Sequence, residues 1–140
     1  MFKELFLKDL IIQDTDSKNI EDLFEYVSKI LKEGGYVNED YKEAIVNREK
    51  NFPTGLRTKY ISIGLPHSDP EYINKPFVCL VKSINPIKVL QMGDNEALEA
   101  HTFFFLGITD PKNQVKLLSE IMAYLEDEEA IKLLNDGKLL

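Results

Sequence analysis

Arg48-Glu49-Lys50-Asn51-Phe52-Pro53-Thr54-Gly55-Leu56, followed by Ile61-Ser62-Ile63-Gly64-Leu65-Pro66-His67-Ser68-Asp69, is the stretch around which the chain is organised. Pro53 ends any helix arriving from the left, and Thr54-Gly55 makes a turn. Tyr60-Ile61-Ser62-Ile63-Gly64-Leu65 alternates and is β-branched, which reads as a strand. Leu65 precedes a proline and is biased to extended geometry, so the strand's direction carries through Pro66. Two loops thus flank one short apolar strand, and the second delivers an imidazole at His67, with a hydroxyl and a carboxylate following at Ser68 and Asp69.

Upstream, Leu10-Ile11-Ile12 within Lys8–Gln13 suits an opening strand, and Asp14-Thr15-Asp16-Ser17 suits a turn and a helix cap. Ile20, Leu23, Phe24, Val27, Ile30 and Leu31 recur at helical spacing until Gly34-Gly35. Asn38 opens a second helix through Tyr41, Ala44, Ile45 and Arg48. Downstream, Phe77–Val81 reads as a buried strand and Ile87–Leu90 as a further short one. Thr102-Phe103-Phe104-Phe105-Leu106-Gly107-Ile108 is nearly continuous apolar sequence, the mark of a central strand covered on both faces. Asp110-Pro111 starts a helix with an apolar stripe at Val115, Leu118, Ile121, Met122 and Leu125. Asp127-Glu128-Glu129 opens a last helix that fades at Asn135-Asp136-Gly137. Strands mixed with helices, one strand central, predict an α/β fold: one three-layer domain over residues 1–140, a mixed and mostly parallel sheet with helices on both faces.

At 140 residues the chain can bury a sizeable core, and no apolar run approaches the span of a bilayer. Met1-Phe2-Lys3-Glu4-Leu5 lacks the basic region and long apolar core of a secretory signal, so the expected location is the cytosol, without membrane insertion. Seventeen basic against 24 acidic residues give a net charge of −7. That disfavours nucleic acid, which requires a basic face, and suits a basic protein partner. Cys79, alone and inside an apolar run, reads as a buried small hydrophobe. One cysteine and two histidines supply no zinc pattern. No Gly-x-x-x-x-Gly-Lys loop, Gly-x-Gly-x-x-Gly run or Gly-x-Ser-x-Gly elbow is present, so nucleotide binding has no support and no serine nucleophile is nominated.

Two histidines remain. His101 reads as a partly exposed residue at the mouth of the Thr102–Ile108 strand. His67, on a proline-stiffened loop, could be a general base, a metal ligand, a nucleophile or only a loop residue.

The pairing of Arg48-Glu49-x-x-Phe52-Pro53-Thr54-Gly55 with Ile63-x-Leu65-Pro66-His67 resembles the enzyme IIA components of the sugar phosphotransferase system (PTS), of the fructose–mannitol superfamily. Phe-Pro-Thr-Gly, and Asp110-Pro111-Lys112-Asn113-Gln114-Val115-Lys116-Leu117-Leu118, are most similar to the galactitol branch. The resemblance implies that His67 takes a phosphoryl group from phospho-HPr on Nε2 and passes it to a cysteine of enzyme IIB, with the membrane enzyme IIC further along. It implies that Arg48, whose planar fork can hold two phosphate oxygens, sits beside that group. Gln114 stands where mannitol-type members have a second active-site histidine; it can donate a hydrogen bond but cannot titrate.

On this scheme no metal or cofactor is required. A backbone carbonyl or a carboxylate fixes the His67 tautomer, Thr54 or Ser68 adds a hydroxyl, and the helix after Asp110 adds its N-terminus. The site should be shallow and exposed, with an apolar rim, because donor and acceptor proteins both reach it. Two other readings stand beside this one: a regulatory module of the same fold, in which His67 phosphorylation controls a protein partner, and an unrelated α/β binding domain.

Overall fold

The computed structural model describes residues 5–136. The expectations for Met1–Glu4 and for Gly137 lie outside them. Five strands, β1 (Phe6–Thr15), β2 (Gly55–Arg57), β3 (Ser62–Gly64), β4 (Phe77–Leu90) and β5 (Ala97–Gly107), form one sheet in the order β1-β4-β5-β3-β2. Among the described residues four α-helices accompany it: α1 (Ile20–Glu33), α2 (Tyr41–Asn51), α3 (Lys112–Leu125) and α4 (Glu128–Asn135).

Alternation along the two central strands builds the layers. Phe77, Cys79 and Val81 of β4, with Phe103 and Phe105 of β5, point into a core shared with Leu23, Phe24, Val27 and Leu31 of α1 and Tyr41 and Ile45 of α2. Val78, Leu80, Phe104 and Leu106 point the opposite way, against Leu117, Ile121 and Leu125 of α3 and Ile131 and Leu134 of α4. A sheet covered on both faces needs apolar residues at successive positions, which is why residues 103–106 are unbroken Phe-Phe-Phe-Leu. The edge of Phe24 meets Phe105 with ring centroids 5.4 Å apart, fixing α1 to the central strand. Cys79 is fully buried in this core, as expected.

Local signals set the helix ends. The Asn19 side chain accepts from Asp22 N–H at 2.9 Å, a cap worth about 1 kcal/mol. Asp127 caps α4 through Glu129 N–H at 3.0 Å. Asn38 does not cap α2 directly: its carboxamide oxygen holds Asp40 N–H at 3.0 Å, and the helix begins at Tyr41.

Three expectations need correction. Pairings β1–β4 and β3–β5 are parallel, while β4–β5 and β2–β3 are antiparallel, so the mixed sheet is evenly divided and not mostly parallel. The short turn after β4, through Asn95 at φ 59°, returns the chain as a hairpin, and hairpins are antiparallel. Secondly, Phe77–Leu90 is one strand and not two. The ladder shifts register between Lys82 and Ile87, across Asn85-Pro86, and then resumes. Finally, β5 starts at Ala97, so His101 lies within the strand and not at its mouth. Its Nδ1 is 3.0 Å from Ser83 O, and the ring faces solvent.

Candidate functional site

β3 and β5 are parallel neighbours, and the segments leaving their C-terminal ends meet at one rim of the sheet. Open α/β sheets place their sites at such rims. After β3 the chain continues extended, as the Leu65-Pro66 pairing dictates. Pro66 O accepts from Leu106 N–H at 3.0 Å, and His67 forms an isolated bridge with Leu106. The histidine is therefore fastened to the end of the central strand. After β5, residues 108–111 lead into α3, whose first turn arrives over the same rim. Gly64 permits the close approach of β3 to β5: a Cβ there would lie 2.6 Å from Cδ1 of Phe103.

His67 is half-buried, and both ring nitrogens have neighbours. Nδ1 is 2.8 Å from Leu65 O. A carbonyl only accepts, so in the neutral ring Nδ1 carries the proton and Nε2 keeps its lone pair. Nε2 lies 3.4 Å from the Gln114 amide nitrogen, which donates weakly toward it. Burial pushes the His67 pKa below its ordinary value; the Arg48 charge adds to that, while the Leu65 carbonyl and Asp69 pull the other way. The arrangement favours an uncharged imidazole with its nucleophilic nitrogen defined.

Arg48 comes from the last turn of α2. Its Nη1 donates to Asp69 Oδ1 at 3.2 Å, and its guanidinium carbon sits 5.5 Å from the Phe52 ring centroid. The buried Nε has no hydrogen-bond partner. A cation with spare donors and a neutral nucleophile close enough to feel its charge can together receive a dianionic group.

The structure thus brings together His67, Arg48 and Gln114 from three elements. Thr54 and Ser68 are placed differently from expectation. The buried Thr54 hydroxyl lies 2.7 Å from Glu49 Oε1 and accepts from Leu65 N–H at 3.2 Å, which occupies it away from any phosphate. Ser68 Oγ donates to Asp69 O at 3.0 Å. The first-turn amides of α3 are also engaged: Lys112 N–H with Asp110 Oδ1, Asn113 N–H with Asp110 O, and Gln114 N–H with Pro111 O. That helix reaches the site through the Gln114 side chain. Glu49, given no role from the sequence beside the more conspicuous Arg48, holds Thr54 through both carboxylate oxygens. Phe52, 65% exposed, lies beside the Arg48 guanidinium, and Val115, 74% exposed, follows Gln114 in sequence.

Among the described residues no cluster of three or more His, Cys, Asp or Glu side chains could hold a metal ion. No helix among them is long and apolar enough to cross a membrane.

Comparison with known proteins gives this geometry a family. Residues 4–138 match the model of the phosphoenolpyruvate-dependent sugar phosphotransferase system, EIIA 2. The galactitol-specific EIIA component of Escherichia coli is 24% identical over 100 residues, 71% of this chain and 67% of that one. The fructose-specific EIIABC component of Bacillus subtilis is 30% identical over 142 residues, 96% of this chain but only 21% of that longer protein. Among solved structures, the complex of mannitol enzyme IIA with phosphorylated enzyme IIB from E. coli superposes with a TM-score of 0.73 at 21% identity, covering 93% of this chain and 89% of that one. The nitrogen regulatory protein IIA-Ntr of Neisseria meningitidis gives 0.72 at 17% identity, covering 98% and 90%. A neutral imidazole beside an arginine, on a fold shared over nearly its whole length, is accounted for: the chain belongs to the EIIA type 2 family of the sugar phosphotransferase system and is a phosphotransfer domain.

Proposed function

We propose that this chain is a single-domain, cytosolic phosphocarrier in which His67 accepts a phosphoryl group from phospho-HPr and passes it to a cysteine of a cognate enzyme IIB, itself coupled to a membrane enzyme IIC. The observation that carries the reading is the polarity at His67. With Nδ1–H donated to Leu65 O, the Nε2 lone pair is the nucleophile. It attacks phosphorus in line; the new N–P bond forms as the donor histidine's N–P bond breaks, and the donor ring leaves with the electron pair. The proton stays on Nδ1, donated to Leu65 O, so the cationic charge of the phosphorylated ring is held by the carbonyl dipole. Arg48 meets the transferring oxygens, and Gln114 Nε2, 3.4 Å from Nε2 before phosphorylation, is placed to donate to one of them. The second transfer reverses the roles: a thiolate attacks and neutral His67 departs.

For the cargo of the transport system we propose galactitol or a related sugar or sugar alcohol. The Phe52-Pro53-Thr54-Gly55 motif, Gln114 in place of a second histidine, and the similarity to the galactitol-specific component support this. Incubation with phosphoenolpyruvate, enzyme I and HPr should give acid-labile, base-stable phosphate on the chain, absent in His67→Ala. Phosphate retained by His67→Ala would end the assignment. The fold shared with IIA-Ntr leaves a regulatory use of the same phosphorylation as the second reading. Rapid transfer onward to an enzyme IIB supports transport; phosphorylation that alters binding to a partner without onward transfer supports regulation.

A further inference from the structure

We propose that Glu49 is a positioning residue for His67, acting through the Thr54 hydroxyl and the Leu65 main chain; this rests on His67 being the acceptor. Glu49 follows Arg48 in the last turn of α2, which ends at Asn51, yet its carboxylate reaches onto the following loop. Oε2 accepts from Thr54 N–H at 2.8 Å, and Oε1 accepts from Thr54 Oγ–H at 2.7 Å. A hydroxyl has one proton. Donating it to Glu49 leaves the Thr54 oxygen lone pairs for Leu65 N–H, 3.2 Å away, an amide it shares with Thr54 O at 3.3 Å. Leu65 is thereby held at its N–H side, and its carbonyl receives His67 Nδ1–H at 2.8 Å.

Each link in this series has only one workable direction. The carboxylate cannot donate, so Thr54 must; Thr54 has then no proton left for Leu65, so Leu65 N–H donates to it. Glu49 therefore fixes the orientation of a hydroxyl, the hydroxyl fixes a residue, and that residue's carbonyl fixes the tautomer that exposes the Nε2 lone pair. An apolar side chain at position 49 would free the Thr54 proton to turn elsewhere. Leu65 N–H would then rest on a hydroxyl no longer fixed in orientation, and its hold would loosen. The same element that carries Arg48 to the phosphoryl site thus also aligns the nucleophile, so a shift of α2 would affect both.

The test uses the full chain with nitrogen-labelled histidine. NMR of the neutral imidazole reports which nitrogen holds the proton, independently of any phosphorylation. Transfer from phospho-HPr is timed in parallel. Wild type should show the Nδ1–H form of His67. Glu49→Leu and Thr54→Val should raise the Nε2–H fraction and slow acceptance on the order of tenfold to a hundredfold, the range expected for a displaced reacting group. Thr54→Ser, which keeps the hydroxyl, should restore both. A Glu49 that serves only to tie its helix to the following loop would lower Tm on substitution and leave tautomer and rate alone, and that result would overturn the proposal. Should Glu49→Leu not fold, the Thr54→Val and Thr54→Ser pair decides by the same two readouts. Wild-type chain that never takes phosphate on His67 would refute the carrier reading, while the tautomer comparison would still decide this one.

Discussion

Replacing Arg48 with alanine separates what the cation does for the chemistry from what it does for the fold. The guanidinium carries five N–H donors in a fixed plane. One nitrogen is bonded to Asp69 at 3.2 Å, and the buried Nε has no partner. Losing one preorganised donor at developing charge costs about 2–4 kcal/mol in the transfer barrier, which is roughly 30- to 1000-fold in rate. A second effect runs the same way at low pH. Arg48 helps to hold the His67 pKa below its ordinary value, so removing it raises that pKa and shrinks the neutral fraction in acid. Rates measured by rapid quench well above pH 6.5, where both imidazoles are neutral, isolate the first effect. Stability should change little, because a partly exposed pair such as Arg48–Asp69 contributes only about 0–1 kcal/mol. Arg48→Lys should fall between, keeping charge and losing the fork. Equal rates for wild type and Arg48→Ala at high pH, with wild-type folding, would refute the reasoning.

Four further outcomes are expected. The rate of phosphoryl acceptance should be flat at high pH and fall on acidification through a midpoint below 6.5, since burial lowers the His67 pKa; a midpoint at or above 6.5 would contradict this. The same shift means the unfolded chain binds that proton more readily. His67 therefore contributes stability above about pH 6.5 that is lost as pH falls through its folded value, and comparing Tm of wild type and His67→Gln across that window checks the sign. Gln114→Leu removes only a 3.4 Å hydrogen bond and should slow acceptance several-fold, on the scale of about 1 kcal/mol, without changing Tm by more than a degree or so. Gly64→Ala puts a methyl 2.6 Å from the Phe103 ring and should destabilise by roughly 1–3 kcal/mol in denaturant titration, slowing transfer as well because β3 carries the His67 loop.

Much of the architecture was legible because both faces of the sheet are covered, which writes unbroken apolar sequence into residues 103–106 and helical spacing into α1 and α4. The stripe read for α3 keeps Ile121 and Leu125, but the buried face is completed by Leu117, while Val115 is exposed and Leu118 and Met122 are only partly buried. Where reading failed, a local signal lost to a tertiary one. Pro86 punctuates the sequence, but the ladder partner Ala97–Gly107 carries β4 past it. The sheet's parallel share was overestimated because nothing in residues 91–96 distinguishes a hairpin from a loop until the partner strand is known. That His67, Arg48 and Gln114 come together was legible through a resemblance. The group that sets the tautomer was not, because it is a main-chain carbonyl, and every residue has one. Thr54 or Ser68 was expected to add a hydroxyl to the phosphoryl group. The structure turns the Thr54 hydroxyl to Glu49 and Leu65 instead.

The central claim is that Nε2 of His67 is the atom that accepts the phosphoryl group while Nδ1 keeps its proton on Leu65 O. Phosphorus–nitrogen coupling in the NMR spectrum of the histidine-labelled, phosphorylated chain tests it directly. Phosphorus coupled through Nε2, with the Nδ1 proton retained and hydrogen-bonded, is the predicted result. Phosphorus on Nδ1, or on any residue other than His67, would contradict the account.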